Sequence, residues 1–216
     1  MGISSWRIGM RYGRREHISL IMQQVVLEYP WDGFPKLHTE RLDLIEINET
    51  HLGDLYKLFG DEEAIKHYDI VRLKNEQEAR YPLNSFIKRF NDKYGIRWGI
   101  ALKGNQNIIG TIGFNRFTRY HRGVIGYDLQ ANYWNKGYMT EAVSKVIGFG
   151  FEQLELNRIE AEVRPANIGS KKVLEKLNFI NEGVLRQWWL FDDKYFDCVM
   201  FALLKMNYDR GEGPNR

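Results

Sequence analysis

From position 37 onward the chain alternates between two hydrophobic periods, and each change of period marks a new element. Leu42, Leu44, Ile45 and Ile47 are spaced as on a largely buried strand, and Trp98, Ile100 and Leu102 repeat the two-residue period over 98–102. Between them, 51–59 and 76–92 carry apolar residues at helical spacing. Lys103-Gly104-Asn105-Gln106 predicts a hairpin turn into a strand over 107–114, and a loop through Tyr120-His121-Arg122-Gly123 leads into another over 124–129. Those three strands form an antiparallel meander. After 137 the period becomes helical again, with Val143, Val146, Ile147, Phe151 and Leu154 on one face that should lie against the sheet. A strand over 159–163 follows, and a strand, helix and strand in succession normally make a right-handed unit with parallel strands. A short helix with Val173, Leu174 and Leu177 precedes a strand over 183–190, a turn at Asp192-Asp193-Lys194 and a last strand. The expected fold is α+β: one mixed, mostly antiparallel, twisted sheet flanked by helices, over 37–206.

The two ends depart from this pattern. Arg7, Arg11, Arg14 and Arg15 come before any acid, and Ile18, Ile21, Met22, Val25 and Val26 then recur at helical spacing up to Pro30. Residues 1–36 are thus expected to be a basic arm and an amphipathic helix that docks on the domain or on a second subunit, a homodimer being one outcome. A nucleic-acid arm is the lesser reading. The arginine-rich start is also similar to an organelle transit peptide, but it has few serines and no secretory-type apolar core. Residues 207–216 are expected to be a flexible tail.

Composition narrows the function classes. Of 216 residues, 44% are hydrophobic and 27% charged, and no run reaches the length of a membrane span, so a cytoplasmic protein without membrane association is expected. A formal charge of +3 is too small to imply nucleic acid by itself. Cys198 is the single cysteine, which excludes an internal disulfide and a multi-cysteine metal site; lying in the apolar run 196–204, it is expected to pack. Histidines at 17, 38, 51, 67 and 121 show no metal-ligand spacing, so no metal is expected.

The segment with most chemical content is Trp134-Asn135-Lys136-Gly137-Tyr138-Met139-Thr140-Glu141-Ala142, which joins a strand to a helix through a loop built around one glycine. First-turn N–H groups of a helix lack intrahelical carbonyl partners and, helped by the positive end of the helix dipole, converge on a phosphate. Gly137 lets the backbone approach a pyrophosphate closely, Lys136 adds charge, and Thr140 can cap the helix. Glu141 suits the first turn as a stabilising acid. Asn157-Arg158-Ile159-Glu160-Ala161-Glu162-Val163, Asn167-Ile168-Gly169-Ser170 and Leu174-Glu175-Lys176-Leu177-Asn178-Phe179 follow in order, and Leu37-His38-Thr39-Glu40-Arg41-Leu42 opens the domain.

Together these segments resemble a GNAT-superfamily N-acetyltransferase of the RimJ/RimL type, over residues 37 to about 205. The superfamily's pyrophosphate loop usually reads Gln or Arg, two residues, Gly, one residue, then Gly or Ala; here Trp134 and Met139 hold the first and last places. The loop binds through main-chain N–H groups, so the resemblance still implies acetyl-CoA as cosubstrate, held by Trp134, Asn135, Lys136, Gly137, Tyr138, Met139 and Thr140, with Trp134 shielding it from water. It further implies that the central parallel strands splay to admit the pantetheine arm, that Asn167 hydrogen-bonds that arm, and that a backbone N–H near Leu129 meets the oxyanion. Ser170 would be the proton donor to the departing thiolate and Glu162 the base for the amine. A Glu162 shielded beside the cofactor would have its pKa raised toward neutrality. From spacing alone, Glu160 and Glu162 alternate with Ala161 and Val163 and could equally face solvent, while Asn167 and Ser170 are also good cap residues. The acceptor the resemblance implies is a protein N-terminal α-amine, that of a ribosomal protein being one case; a polyamine, an amino sugar, or a noncatalytic acyl-CoA-binding role stay open. Trp98, Phe114, Tyr120, His121, Trp188 and Trp189 are aromatic candidates for the acceptor pocket.

Overall fold

A computed structural model describes residues 32–68 and 70–212. The basic arm and amphipathic helix expected over 1–36 therefore lie almost entirely outside the described residues. The domain is one eight-stranded sheet in the order β1-β2-β3-β4-β5-β6-β8-β7. Its strands are β1 (Leu37–His38), β2 (Leu42–Glu46), β3 (Ile96–Leu102), β4 (Ile108–Thr118), β5 (Arg122–Leu129), β6 (Arg158–Val163), β7 (Ile180–Phe191) and β8 (Lys194–Leu204). Every neighbouring pair is antiparallel except β5 and β6. The expected meander is β3-β4-β5, and the helix between β5 and β6 makes that pair parallel.

Helices α1 (Leu52–Phe59), α2 (Glu62–Ile65) and α3 (Arg80–Asn91) bury Leu55, Leu58, Ile65 and Leu83 in one cluster with Ile47 and Ile108 of the sheet region. The four-residue helix α2, started by Asp61 accepting from the Glu63 N–H, was not expected from spacing, because four residues are too few to show a period. Helix α4 (Tyr138–Glu152) buries Val143, Val146, Ile147 and Phe151, and its Phe149 ring meets Trp98 edge-on at 5.0 Å. Trp98 and Phe114 are thereby fully buried core residues rather than acceptor-pocket lining. Cys198 is buried in β8, as its apolar surroundings predicted. Near the C-terminus Tyr208, which the sequence places in the tail, is buried and donates its hydroxyl hydrogen to Glu152 at 2.8 Å.

Two departures from regular pairing shape the centre of the sheet. The β5–β6 pairing ends at Ile125 and Ala161, so 126–129 diverge from 162–163 and open the expected splay. On β4 the register with β5 shifts between Phe114 and Arg116, leaving Asn115 as the extra residue of a bulge.

Candidate active site

The glycine loop behaves as its sequence predicts in one respect and departs from it in another. Asn135 and Gly137 both take left-handed backbone conformations, at φ of 59° and 80°, which turn the chain sharply into α4. Gly137 is itself the N-cap, and no side chain closes the first turn. The cap expected from Thr140 does not form: the N-cap position falls on Gly137, which has no side chain, and Thr140 is the third residue of the helix. Lys136 also differs: its ammonium turns back to the Asn132 carbonyl at 2.8 Å and lies 5.5 Å from the centre of the Tyr133 ring.

The loop is held from behind by the first strands. Arg41 donates from Nε to Glu141 at 2.6 Å and from Nη1 to the Lys136 carbonyl at 3.0 Å. The Arg41 main-chain N–H and the Thr39 hydroxyl reach the other Glu141 oxygen. Burial alone would raise the Glu141 carboxyl, but the donors from Thr39 and Arg41 together hold it below the usual carboxylate value. The Leu37 to Leu42 segment is thus a brace for the loop. A Cβ at Gly137 would come within 3.3 Å of Arg41 Nη2, which together with the positive φ favours glycine at that position.

Two cavities occupy the splay. The larger, about 590 Å³, lies along the loop and is lined by Leu129, Trp134, Asn135, Gly137, Met139 and Thr140, with Tyr138 beside them. The Trp134 indole N–H donates to the Leu129 carbonyl at 2.8 Å, which fixes the ring as one wall. Lys172 and Lys176 also line this cavity, as does Lys66, whose ammonium is paired with Glu63 and lies 5.9 Å from the centre of the Trp134 ring. The smaller cavity, about 190 Å³, lies between the diverging strands and is lined by Asn115, Gly126, Glu162, Arg164 and Trp189 among others. Five residues border both cavities: His67, Tyr68, Tyr127, Asn167 and Ser170.

At that junction the side chains are ordered by hydrogen bonds. The Ser170 and Tyr127 hydroxyls are 2.8 Å apart, and burial pushes the Tyr127 phenol well above its ordinary value, so it stays protonated. Asn167 accepts from the Ser170 main-chain N–H at 3.0 Å, the cap of α5 (Ile168–Lys176), so the cap uses the backbone of Ser170 and leaves its hydroxyl to the cavity. The Tyr68 hydroxyl donates to the Tyr127 carbonyl in the splayed part of β5. Burial lowers the His67 imidazole, Lys66 and Arg164 act in the same direction and Glu63 opposes them; at neutral pH it is uncharged. Glu162 lines the smaller cavity and is ion-paired with Arg116; its side chain is 13% exposed, so it does not face open solvent. Glu160, its alternation partner, is buried and paired with Arg122 and Arg158.

Beneath the smaller cavity lies a polar network that spacing did not reveal. Arg97 and Asp128 form a buried ion pair, with side chains 7% and 4% exposed. Thr111 accepts from Arg97 Nε at 2.9 Å and donates to Asp128 at 2.8 Å. Arg97 Nη1 also reaches Asn115 Oδ1 at 3.0 Å, and Arg89 Nη1 reaches the same oxygen at 3.3 Å. Of the aromatic candidates, Trp189 borders this cavity, whereas Tyr120, His121 and Trp188 do not. Among the described residues no group of three or more His, Cys, Asp or Glu is placed to hold a metal, and no helix is long and apolar enough to cross a membrane.

Comparison with known proteins adds the following. Residues 41–180 match the family model described as an acetyltransferase (GNAT) domain. The N-acetyltransferase YoaA of Bacillus subtilis, uncharacterised, is 34% identical over 173 residues, covering 80% of this chain and 98% of that protein. The Escherichia coli alanine N-acetyltransferase of ribosomal protein uS5 is 28% identical over 131 residues, 60% of this chain and 66% of its own. RimL, a ribosomal L7/L12 α-N-protein acetyltransferase solved with coenzyme A, superposes with a TM-score of 0.70 at 20% identity, over 79% of this chain and 98% of that one.

Proposed function

The chain belongs to the acetyltransferase (GNAT) family and is an N-acetyltransferase, and from that premise we propose that it moves the acetyl group of acetyl-CoA directly to a protein N-terminal α-amine in a cytoplasmic ternary complex. The observation that carries this reading is the junction of the two cavities at His67, Tyr68, Tyr127, Asn167 and Ser170. Direct transfer needs donor and acceptor to meet at one point, and two cavities sharing one wall give each its own approach. RimL, with which the fold superposes, was solved with coenzyme A, and that protein and the E. coli relative are named for ribosomal-protein acceptors.

In this reading the pyrophosphate lies on the N–H groups of the glycine loop and the start of α4, with Lys172 and Lys176 of the same cavity adding positive charge. The pantetheine arm passes Asn167 and enters the splay. The amine lone pair attacks the thioester carbonyl, the oxyanion meets a backbone N–H near Leu129, and a C–N bond replaces the C–S bond. Glu162 takes the proton from the amine, and Ser170 gives one to the departing thiolate. Glu162→Gln should lower kcat at neutral pH by about 100-fold or more while acetyl-CoA affinity stays within about twofold, the signature of a lost general base. Steady-state rates beside calorimetric titration check this, and an unchanged kcat would remove Glu162 as base.

Arg41→Gln tests the brace. It should weaken acetyl-CoA about fivefold, the effect of a partly exposed ion pair of ~1 kcal/mol, and leave acetyl-pantetheine, which lacks the pyrophosphate, unaffected. An equal loss for both donors would show that Arg41 does not act through the loop. The acceptor is tested by mass spectrometry of a panel of ribosomal-protein N-terminal peptides set against polyamines and amino sugars. Acetylation of peptide α-amines alone supports the reading, acetylation of small amines alone replaces it, and acetyl-CoA binding without turnover of any amine would favour a noncatalytic acyl-CoA-binding role.

A further inference from the structure

The acceptor cavity contains a hydrogen-bond donor whose orientation is decided by the groups behind it. An Asn side chain can present either its oxygen or its NH2 to a ligand. Here Arg89 and Arg97 both donate to Asn115 Oδ1, and guanidinium groups cannot accept, so the amide nitrogen must point the other way. That way leads over Gly126, where a Cβ would come within 2.6 Å of Asn115 Nδ2, and Gly126 and Asn115 both line the smaller cavity. Nδ2 has no hydrogen-bond partner among the described residues. The β4 bulge gives Asn115 this position, and the buried Arg97–Asp128 pair with Thr111 keeps Arg97 from moving.

We infer that Asn115 is a specificity residue for the acceptor, donating from Nδ2 to the carbonyl oxygen next to the reacting amine, so that the site selects an α-aminoacyl group. The inference rests on the proposed peptide acceptor and narrows it. The charge distribution points the same way. Among the residues lining the smaller cavity Glu162 is the one carboxylate, and it is already paired with Arg116, while Arg164 adds a cation. A polyamine would bring a second ammonium with no anion to meet it and no oxygen for Nδ2. A carbonyl oxygen uses the donor and adds no positive charge.

The test crosses two enzymes with two acceptors: wild type and Asn115→Asp, and an alanine-initial peptide and its analogue in which the first amide is replaced by a trans alkene. Asp keeps the shape and still accepts from Arg89 and Arg97, so the network survives; acetyl-CoA affinity, read separately, shows that the fold is intact. Wild type should prefer the peptide over the alkene about tenfold in kcat/KM, the effect of one donor left unpaired. Asn115→Asp should lose that preference by slowing the peptide and leaving the alkene unchanged. Equal use of both compounds by wild type, or an equal loss for both in the variant, overturns the role of Asn115 while leaving the enzyme class in place. Turnover of neither compound by wild type removes the peptide-acceptor reading itself. Alaninamide, run alongside, separates a free aminoacyl compound from a protein N-terminus, the two sources of the same group.

Discussion

Asp128→Ala should destabilise the protein by about 3–5 kcal/mol, read from urea unfolding, because it leaves the Arg97 guanidinium buried without its counter-ion. Against a typical domain stability of about 5–15 kcal/mol, such a loss lowers the amount of folded protein at growth temperature. Most of the loss is the desolvation of Arg97 rather than the strength of the pair. Replacing both partners by apolar residues, Arg97→Met with Asp128→Leu, should therefore restore most of the stability. It should not restore acceptor selectivity, because Asn115 would lose one of the two donors that orient it. A loss under about 1 kcal/mol in the single variant would mean that water compensates for Asp128, and the pair would no longer count as the anchor of the bulge.

Ser170→Ala carries the second large effect: kcat should fall about 100-fold, with acetyl-CoA affinity nearly unchanged. The substitution isolates chemistry from structure unusually well, since the Asn167 cap is made to the Ser170 main-chain N–H and persists in the variant. What disappears is the hydroxyl 2.8 Å from Tyr127. The two hydroxyls share the wall between the cavities, so a residual rate in Ser170→Ala that vanishes in Ser170→Ala with Tyr127→Phe would show that the phenol takes over the proton. An unchanged kcat in the single variant would take the acid role away from Ser170.

The sheet was legible because alternation is a local signal: strands over 98–102, 107–114 and 124–129 fall within β3, overlap β4 and fall within β5, with boundaries displaced by a few residues. The glycine loop was legible for a similar reason, since Gly137 must take a conformation that other residues avoid. The polar network was not. Arg97 and Asp128 occupy polar places in alternating strands, which ordinarily means solvent, and only the helices covering that face make them buried partners 31 positions apart. Charge near the loop was also only partly legible. Lys136 is adjacent in sequence yet turns away, whereas Lys66, Lys172 and Lys176 come from α2's end and α5; only the four-residue spacing of the last two gave a sequence hint. His67 escaped notice because a lone histidine says nothing about the two cavities it borders.

The central claim is that the glycine loop and the cavity beside it bind acetyl-CoA, and calorimetric titration of the full chain with acetyl-CoA tests it most directly, with a thermal melt alongside. The account predicts one site and, at about a hundred times the dissociation constant, stabilisation of the fold by about 2.7 kcal/mol. No heat and no shift in melting temperature would contradict it, and would leave Gly137 and its brace as purely structural features.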